Sequence, residues 1–204
     1  MATSNSWQRT PANISARWAE NALGSSAFGE WALIEKRLLD IVISTLALMV
    51  LAPVMLLIAV AIKLESPGPV FYISRRWGRH GRAFDCIKFR TMVEQGRETR
   101  FGSWLRRYAL DELPQLSNVL RGKMSVVGPR PLLASERGGS NPVALRRFEF
   151  KPGMTGLWHV QGWQYQSTRG YISPEATYRK NWSMWLDLTI MVRSVGVALA
   201  GRGC

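Results

Sequence analysis

A chain of 204 residues with 47% hydrophobic content has room for one globular body plus an appendage, and enough apolar material to build a core. Lys and Arg number 27 against 14 Asp and Glu, a formal net charge of +13, which calls for partners carrying negative charge: nucleic acid, anionic lipid headgroups or phosphorylated small molecules. The two cysteines, Cys86 and Cys204, stand far apart with no CxxC spacing and no histidine at ligand spacing, so neither a disulfide framework nor a zinc site is indicated and a reducing setting is the simplest inference.

Residues 1–30 mix Ser, Asn, Ala and Thr with scattered charges and read as a flexible lead-in, without an apolar run that could serve as a signal-peptide core. Residues 41–62 then carry no formal charge, bounded by Lys36, Arg37 and Asp40 before and by Lys63 and Glu65 after. As a helix this run measures about 33 Å, enough for a bilayer core of roughly 30 Å. Pro53 stands at its middle, where it removes a helix hydrogen bond and biases Ala52 away from helical angles. A kinked span and a re-entrant hairpin are both compatible with that break. Both flanks are basic, with Lys36 and Arg37 ahead and Lys63, Arg75, Arg76, Arg79 and Arg82 behind. A span would put one basic cluster on the disfavoured side, so the hairpin, with both ends cytoplasmic, is preferred.

Ser66-Pro67-Gly68-Pro69 is a rigid turn, and Val70-Phe71-Tyr72-Ile73 after it has strand character. Gly78 and Gly81 supply the turn to a second strand around residues 83–89. The segment from Arg75 to Arg107 is rich in arginine and poor in acid; a solvated face or a headgroup patch accounts for most of it. Lys88 and Arg90 differ, because strand alternation puts them on one side of the chain.

Within this basic region stands one acidic pair, in Leu110-Asp111-Glu112-Leu113-Pro114. The residues predict a helix from Leu110 or Asp111 to Arg121, with Leu113, Leu116 and Leu120 on one stripe and Gly122 as its stop. Locally, an ordinary capped helix start explains the pair. The positive helix end also favours an ionised carboxylate, as a nucleophile must be, and offers N–H groups to a phosphate. Gly128-Pro129-Arg130-Pro131 reads as a fixed loop presenting Arg130 either to phosphate oxygens or to solvent. Residues 135–141 form a Gly/Ser-containing loop, Lys151-Pro152-Gly153 a turn, and residues 155–163 look extended. His80 and His159 are isolated and read as structural. Residues 182–192, apolar and Trp-containing with Asp187 inside, suit an interfacial amphipathic helix, with burial in a core as the alternative.

Together these blocks resemble the monotopic bacterial sugar transferases, the polyprenyl-phosphate phosphoglycosyltransferases. The resemblance runs from about Lys36 to Leu188. It is carried by Lys36-Arg37-Leu38-Leu39-Asp40, Ser66-Pro67-Gly68-Pro69-Val70-Phe71, Lys88-Phe89-Arg90-Thr91-Met92, the stretch from Leu110 to Leu116, Val127-Gly128-Pro129-Arg130-Pro131, Lys151-Pro152-Gly153-Met154-Thr155-Gly156-Leu157-Trp158 and Asn181-Trp182-Ser183-Met184-Trp185-Leu186-Asp187.

The resemblance implies an α+β monotopic membrane protein: a lead-in (1–30), a re-entrant membrane helix broken at Ala52 and Pro53 (31–65), and a small mixed cytoplasmic catalytic domain with a short β-hairpin and interfacial amphipathic helices (66–204). It implies a site on the cytoplasmic face of the bacterial inner membrane, where Asp111 attacks the β-phosphorus of a UDP-sugar and releases UMP. A polyprenyl phosphate such as undecaprenyl phosphate then takes the phosphosugar. Asp111 and Glu112 would hold Mg²⁺, Glu112 alternatively moving a proton, and Lys88, Arg90, Arg106 and Arg130 would neutralise phosphate oxygens. Membrane lipids are the other expected partner, and no nucleic acid is expected.

The chain departs from the family at several points. Ala52 stands where Ser is frequent, Lys123 where an acid is common, and His159 and Trp163 replace residues usual in the Gly-Leu-Trp block. The large N-terminal membrane region of some relatives is not expected, and the exopolysaccharide-type members look nearest. A membrane-tethered basic protein for nucleic acid or anionic lipid is the competing reading; it gives the acidic pair no purpose.

Overall fold

The computed structural model describes residues 30–93, 96–133, 146–161 and 174–202. The lead-in up to residue 29, the loop 135–141 and Trp163 lie outside the described residues. The architecture is mixed α+β: helices and two small two-stranded sheets arranged around one long helix.

Helix α1 spans Glu30–Glu65 and is the one helix among the described residues long and apolar enough to cross a membrane. Ala52 and Pro53, expected at a break, both lie inside this helix. A proline forfeits one backbone hydrogen bond, which a long helix survives, and no loop separates the two halves. Its ends are embedded and its middle is bare. Lys36, Asp40 and Ser44 are buried toward one end and Ile58 and Ile62 toward the other, while Met49, Val50 and Leu57 between them are about 70% exposed.

Strands β1 (Phe71–Trp77) and β2 (Ala83–Phe89) form the expected antiparallel hairpin, from Phe71 opposite Phe89 to Trp77 opposite Ala83. β1 is longer than the four residues anticipated. Between the strands, His80 and Gly81 take left-handed φ of 56° and 66° in a 3-10 turn, a conformation glycine adopts freely and histidine does not. Helix α2 (Arg100–Arg107) is capped by Thr99, whose hydroxyl accepts the Gly102 N–H at 2.9 Å. Gly102 is required there, because a side chain would run into the Thr91 backbone.

The helix expected from residue 110 to 121 is instead a 3-10 turn at Leu110–Glu112 followed by a short helix α3, Gln115–Leu120. Pro114 has no N–H to offer the preceding turn, so regular α bonding begins only after it. Gly122 ends the helix as expected, with φ of 72° and the paired bonds Gly122 N–H to Val119 O and Lys123 N–H to Asn118 O. Strands β3 (Ser125–Val127) and β4 (Gly153–Thr155) then pair in parallel. The extended character anticipated for residues 155–163 stops at Thr155, since Leu157–Val160 is a short helix, α4.

Helices α5 (Pro174–Asn181) and α6 (Met184–Leu199) complete the body. On α6, Asp187 and Ile190 are buried, while Trp185, Val192, Val195 and Leu199 are exposed. Asp187, which looked like an interruption of an apolar stretch, is the centre of a buried network. It accepts from Lys36 Nζ (2.5 Å), the Tyr178 hydroxyl (2.7 Å) and Trp182 Nε1 (3.2 Å), tying the start of α1 to α5 and α6. One turn along α1, Asp40 Oδ1 accepts from Ser125 Oγ and Val126 N–H, both at 2.9 Å, in β3.

Candidate active site

The site is built where α1, β2 and the turn after α2 meet. Ile58, Ile62, Phe89 and Leu105 are buried together, and Leu110 and Leu113 pack against them. Those two leucines flank the acidic pair, so burying them orients Asp111 and Glu112 toward the neighbouring strand. The chain reaches this position through Ala109, whose φ of 54° and ψ of 21° are left-handed, a strained state for a residue with a Cβ. The reversal lets the 3-10 turn follow α2 directly.

Lys88 of β2 meets the pair. Its ammonium is ion-paired with Glu112 Oε1 and lies 3.9 Å from Asp111 Oδ2. All three side chains are largely buried. Asn118 holds α3 against the same strand, donating to Asp85 O at 2.8 Å and accepting the Ile87 N–H at 3.1 Å. It thus acts as an extra rung on the open edge of β2, and sequence reading did not single it out, since its i±3 and i±4 neighbours Pro114, Gln115, Arg121 and Gly122 mark no apolar face.

Helix polarity was expected to keep Asp111 ionised, but burial decides the matter. With Asp111 only 7% exposed, loss of solvent lifts its carboxyl to about 6, against the opposing pull of Lys88 and with help from Glu112. Arg106 also draws it down, which puts that guanidinium within electrostatic reach although it is ion-paired with Glu98. For Lys88, burial favours the neutral amine, yet Glu112 and Asp111 outweigh it and its ionisation moves above the usual lysine range.

The remaining expected phosphate ligands are Arg90 and Arg130. Arg90 does not join Lys88: its guanidinium donates to Pro67 O (2.6 Å), Ser66 O (2.9 Å) and Ser66 Oγ (2.8 Å), fastening the turn that ends α1. Alternation failed here because β2 stops at Phe89. Arg130 lies in a half-buried loop pinned on both sides, by Gly128 N–H to Thr155 O and Gly153 N–H to Pro129 O, each 2.9 Å, and by Arg76 Nη1 to Pro131 O at 2.7 Å. His159, read as structural, bonds through Nδ1 to Thr155 Oγ1 at 3.1 Å. Burial holds its ionisation below the ordinary histidine value despite the attraction of Glu112.

Asp111 and Glu112 offer the hard oxygen atoms that a divalent cation such as Mg²⁺ prefers. Among the described residues no group of three His, Cys, Asp or Glu side chains could hold a metal by itself. The pair therefore fits an ion whose coordination is completed by phosphate oxygens and water, a usual arrangement for Mg²⁺.

A lysine-bound carboxylate pair is thus buried beside a membrane-length helix, with Arg106 in electrostatic reach. Residues 31–201 match the family model described as bacterial sugar transferase. The chain belongs to that family, and it is an enzyme of the transferase class. It is similar to the exopolysaccharide production protein ExoY of Rhizobium meliloti (strain 1021), with 35% identity over 82% of this chain and 87% of the relative. It is similar also to the UDP-glucose:undecaprenyl-phosphate glucose-1-phosphate transferases of Xanthomonas campestris pv. campestris (41% identity, 78% of this chain, 38% of the relative) and Caulobacter vibrioides (40%, 79% and 68%).

Proposed function

We propose that this protein transfers a sugar 1-phosphate from a UDP-sugar to undecaprenyl phosphate, the first committed step of a bacterial exopolysaccharide. Relatives whose names carry UDP-glucose or UDP-galactose as donor and undecaprenyl phosphate or a lipid carrier as acceptor support the substrate classes. The observation that carries the reading is the Asp111–Lys88–Glu112 cluster, buried directly beside the apolar helix that would bring a lipid acceptor to it.

In this mechanism an Asp111 carboxylate oxygen attacks the β-phosphorus of the UDP-sugar. The bond from that phosphorus to the bridging oxygen breaks, and UMP leaves with that oxygen. A phosphate oxygen of undecaprenyl phosphate then attacks the same phosphorus, breaking the aspartyl–phosphorus bond and returning free Asp111. Two displacements thus replace one difficult meeting of two anions. Lys88 keeps Glu112 in place, lowers the proton affinity of Asp111 and offsets charge on the diphosphate, with Arg106 and Arg130 adding positive charge around it. Glu112 and Asp111 would hold Mg²⁺, which when bound would supply Lewis-acid neutralisation of the diphosphate. Arg90 contributes by fixing the turn between α1 and β1.

The membrane arrangement follows the same reading. The two ends of α1 dock on one body, through Lys36, Arg37 and Asp40 at the start and Ile58, Ile62 and Glu65 at the finish. The bare apolar middle around Pro53 protrudes between them. That supports a helix entering and leaving the same cytoplasmic face, bent at Ala52 and Pro53, rather than one whose ends lie on opposite sides.

The test is release of UMP by purified protein given undecaprenyl phosphate, Mg²⁺ and a panel of UDP-sugars led by UDP-glucose and UDP-galactose. Asp111→Asn should abolish turnover and trapping of a phosphosugar on the protein. An Asp111→Asn variant that turns over at the wild-type rate removes the nucleophile assignment.

A further inference from the structure

At the far end of α3 from the acidic pair lies a second concentration of positive charge. Arg37, in the second turn of α1, donates Nη1 and Nη2 to the carbonyls of Val119 and Leu120, each at 2.7 Å, and so caps the helix that Asp111 precedes. Next to it stands Gly122. A Cβ built there would sit 3.5 Å from Arg37 Nη2 and 3.7 Å from Lys151 Nζ, so the two cations face each other across an open glycine, no more than about 7 Å apart.

Lys151 is unusual among the basic residues here. Its ammonium is half-buried and has no hydrogen bond or ion pair among the described residues. Burial and the like charges of Arg37, Arg79 and Lys36 depress its ionisation, with only Asp40 pulling the other way. The neighbouring acids among the described residues are committed elsewhere. Asp40 accepts from Ser125 and Val126, Asp187 takes Lys36, and the Glu149 carboxylate lies 2.9 Å from Arg179 Nε. Arg79 is held beside this group by donating Nε to Glu149 O at 2.9 Å. Arg37 and Lys151 thus face each other beside Gly122 with Arg79 in electrostatic reach, both arginines anchored by backbone carbonyls and Lys151 without an acceptor among the described residues.

We propose that Arg37, Lys151 and Arg79 form a second phosphate-group site, at the base of the apolar helix and separate from the catalytic cluster. The charged neighbours of Lys151 are none of those of Asp111. The acidic pair precedes α3, whereas Arg37 and Gly122 lie at its C-terminal end. A phosphate reaching both Arg37 and Lys151 would sit beside Gly122, where no side chain stands, and a multiply charged oxyanion accepts from an ammonium and two guanidinium groups together. The position, one turn from where α1 turns apolar, suits the headgroup of an anionic phospholipid; a free phosphate presents the same chemistry. The inference does not depend on the reaction proposed above.

Lysine acetylation of the full-length protein, read residue by residue by mass spectrometry, tests this without any substitution. Exposed Lys180 on α5 serves as the internal reference. Inorganic phosphate added to protein in neutral detergent, and nanodiscs of phosphatidylglycerol, are the two probes. Protection of Lys151 by about fivefold or more relative to Lys180 is expected, by phosphate if the ligand is soluble and by nanodiscs if it is a lipid headgroup. Arg79→Met should raise the probe concentration that gives half-protection about tenfold, the loss of one charged hydrogen bond. Unchanged Lys151 reactivity with both probes, or equal protection by chloride at matched ionic strength, overturns the site.

Discussion

Lys36 Nζ and Asp187 Oδ2 lie 2.5 Å apart, both buried, and join positions 151 residues apart in the chain. The pair links the entry of the apolar helix to the last helix of the body, with the Tyr178 hydroxyl donating to Asp187 Oδ1 and Trp182 Nε1 to Asp187 Oδ2. Breaking one side strands a buried charge, so Lys36→Met should cost about 3–5 kcal/mol of stability. The double variant Lys36→Met, Asp187→Leu should lose much less than the two single losses added together. Denaturant melts of the four proteins in one detergent measure this coupling.

With Asp111 as the proposed nucleophile, its elevated ionisation should make activity depend on pH. A carboxyl shifted up to about 6 is protonated, and not nucleophilic, on the acid side of that value. UMP release at subsaturating UDP-sugar should therefore rise through pH 6 with the slope of a single ionisation. Lys88→Met removes the charge that opposes burial and should move the inflection upward by about one pH unit. An inflection that stays in place would separate Lys88 from the nucleophile.

Stability should respond to the same group with the opposite sense. The folded value exceeds the unfolded 3.8, so the contribution is fully present below pH 3.8 and is lost as pH rises through about 6. The loss amounts to about 3 kcal/mol for a shift of roughly two units. Asp111→Asn carries no charge to bury and should melt higher than wild type at pH 7.5 while being inactive, with the gap closing toward pH 4.

Ala109 holds a left-handed conformation between α2 and the acidic turn. Ala109→Gly should raise stability by about 1 kcal/mol, less the added freedom of the unfolded chain, and leave the turn in place. Ala109→Val, β-branched at positive φ, should destabilise by more than that and lower turnover. Paired melting and UMP-release assays distinguish the two effects.

In the proposed mechanism Asp111 and Glu112 would supply only part of a coordination shell, so Mg²⁺ binding should rely on substrate. EDTA should stop UMP release and excess Mg²⁺ restore it. The same chelation should leave the melting temperature unchanged without nucleotide sugar and lower it with one present. A chelator effect on the free protein would point to a site made by protein groups alone.

Several features could be read from the sequence because they depend on local chemistry. Residues 41–62 are helical, and their middle around Met49 and Val50 is exposed, because an uncharged apolar run can satisfy its backbone within a helix and needs no water. Gly122 ends α3 because only glycine takes its φ without strain. The hairpin between β1 and β2 was visible in its turn residues and in the β-branched and aromatic residues of its strands, and the acidic pair stood out against the arginines around it.

What folding alone decided is where charges meet. Arg90 goes to the Ser66–Gly68 turn because β2 ends one residue before it, and Asp187 finds Lys36 across 151 positions. The ionisation of Asp111 is set by burial, which no helix-end argument foresees, since desolvation depends on the leucines, strand and long helix packed around it. Sequence alone marks which groups carry charge and where the backbone can turn. The cost of removing those charges from water exists only once distant segments have closed over them.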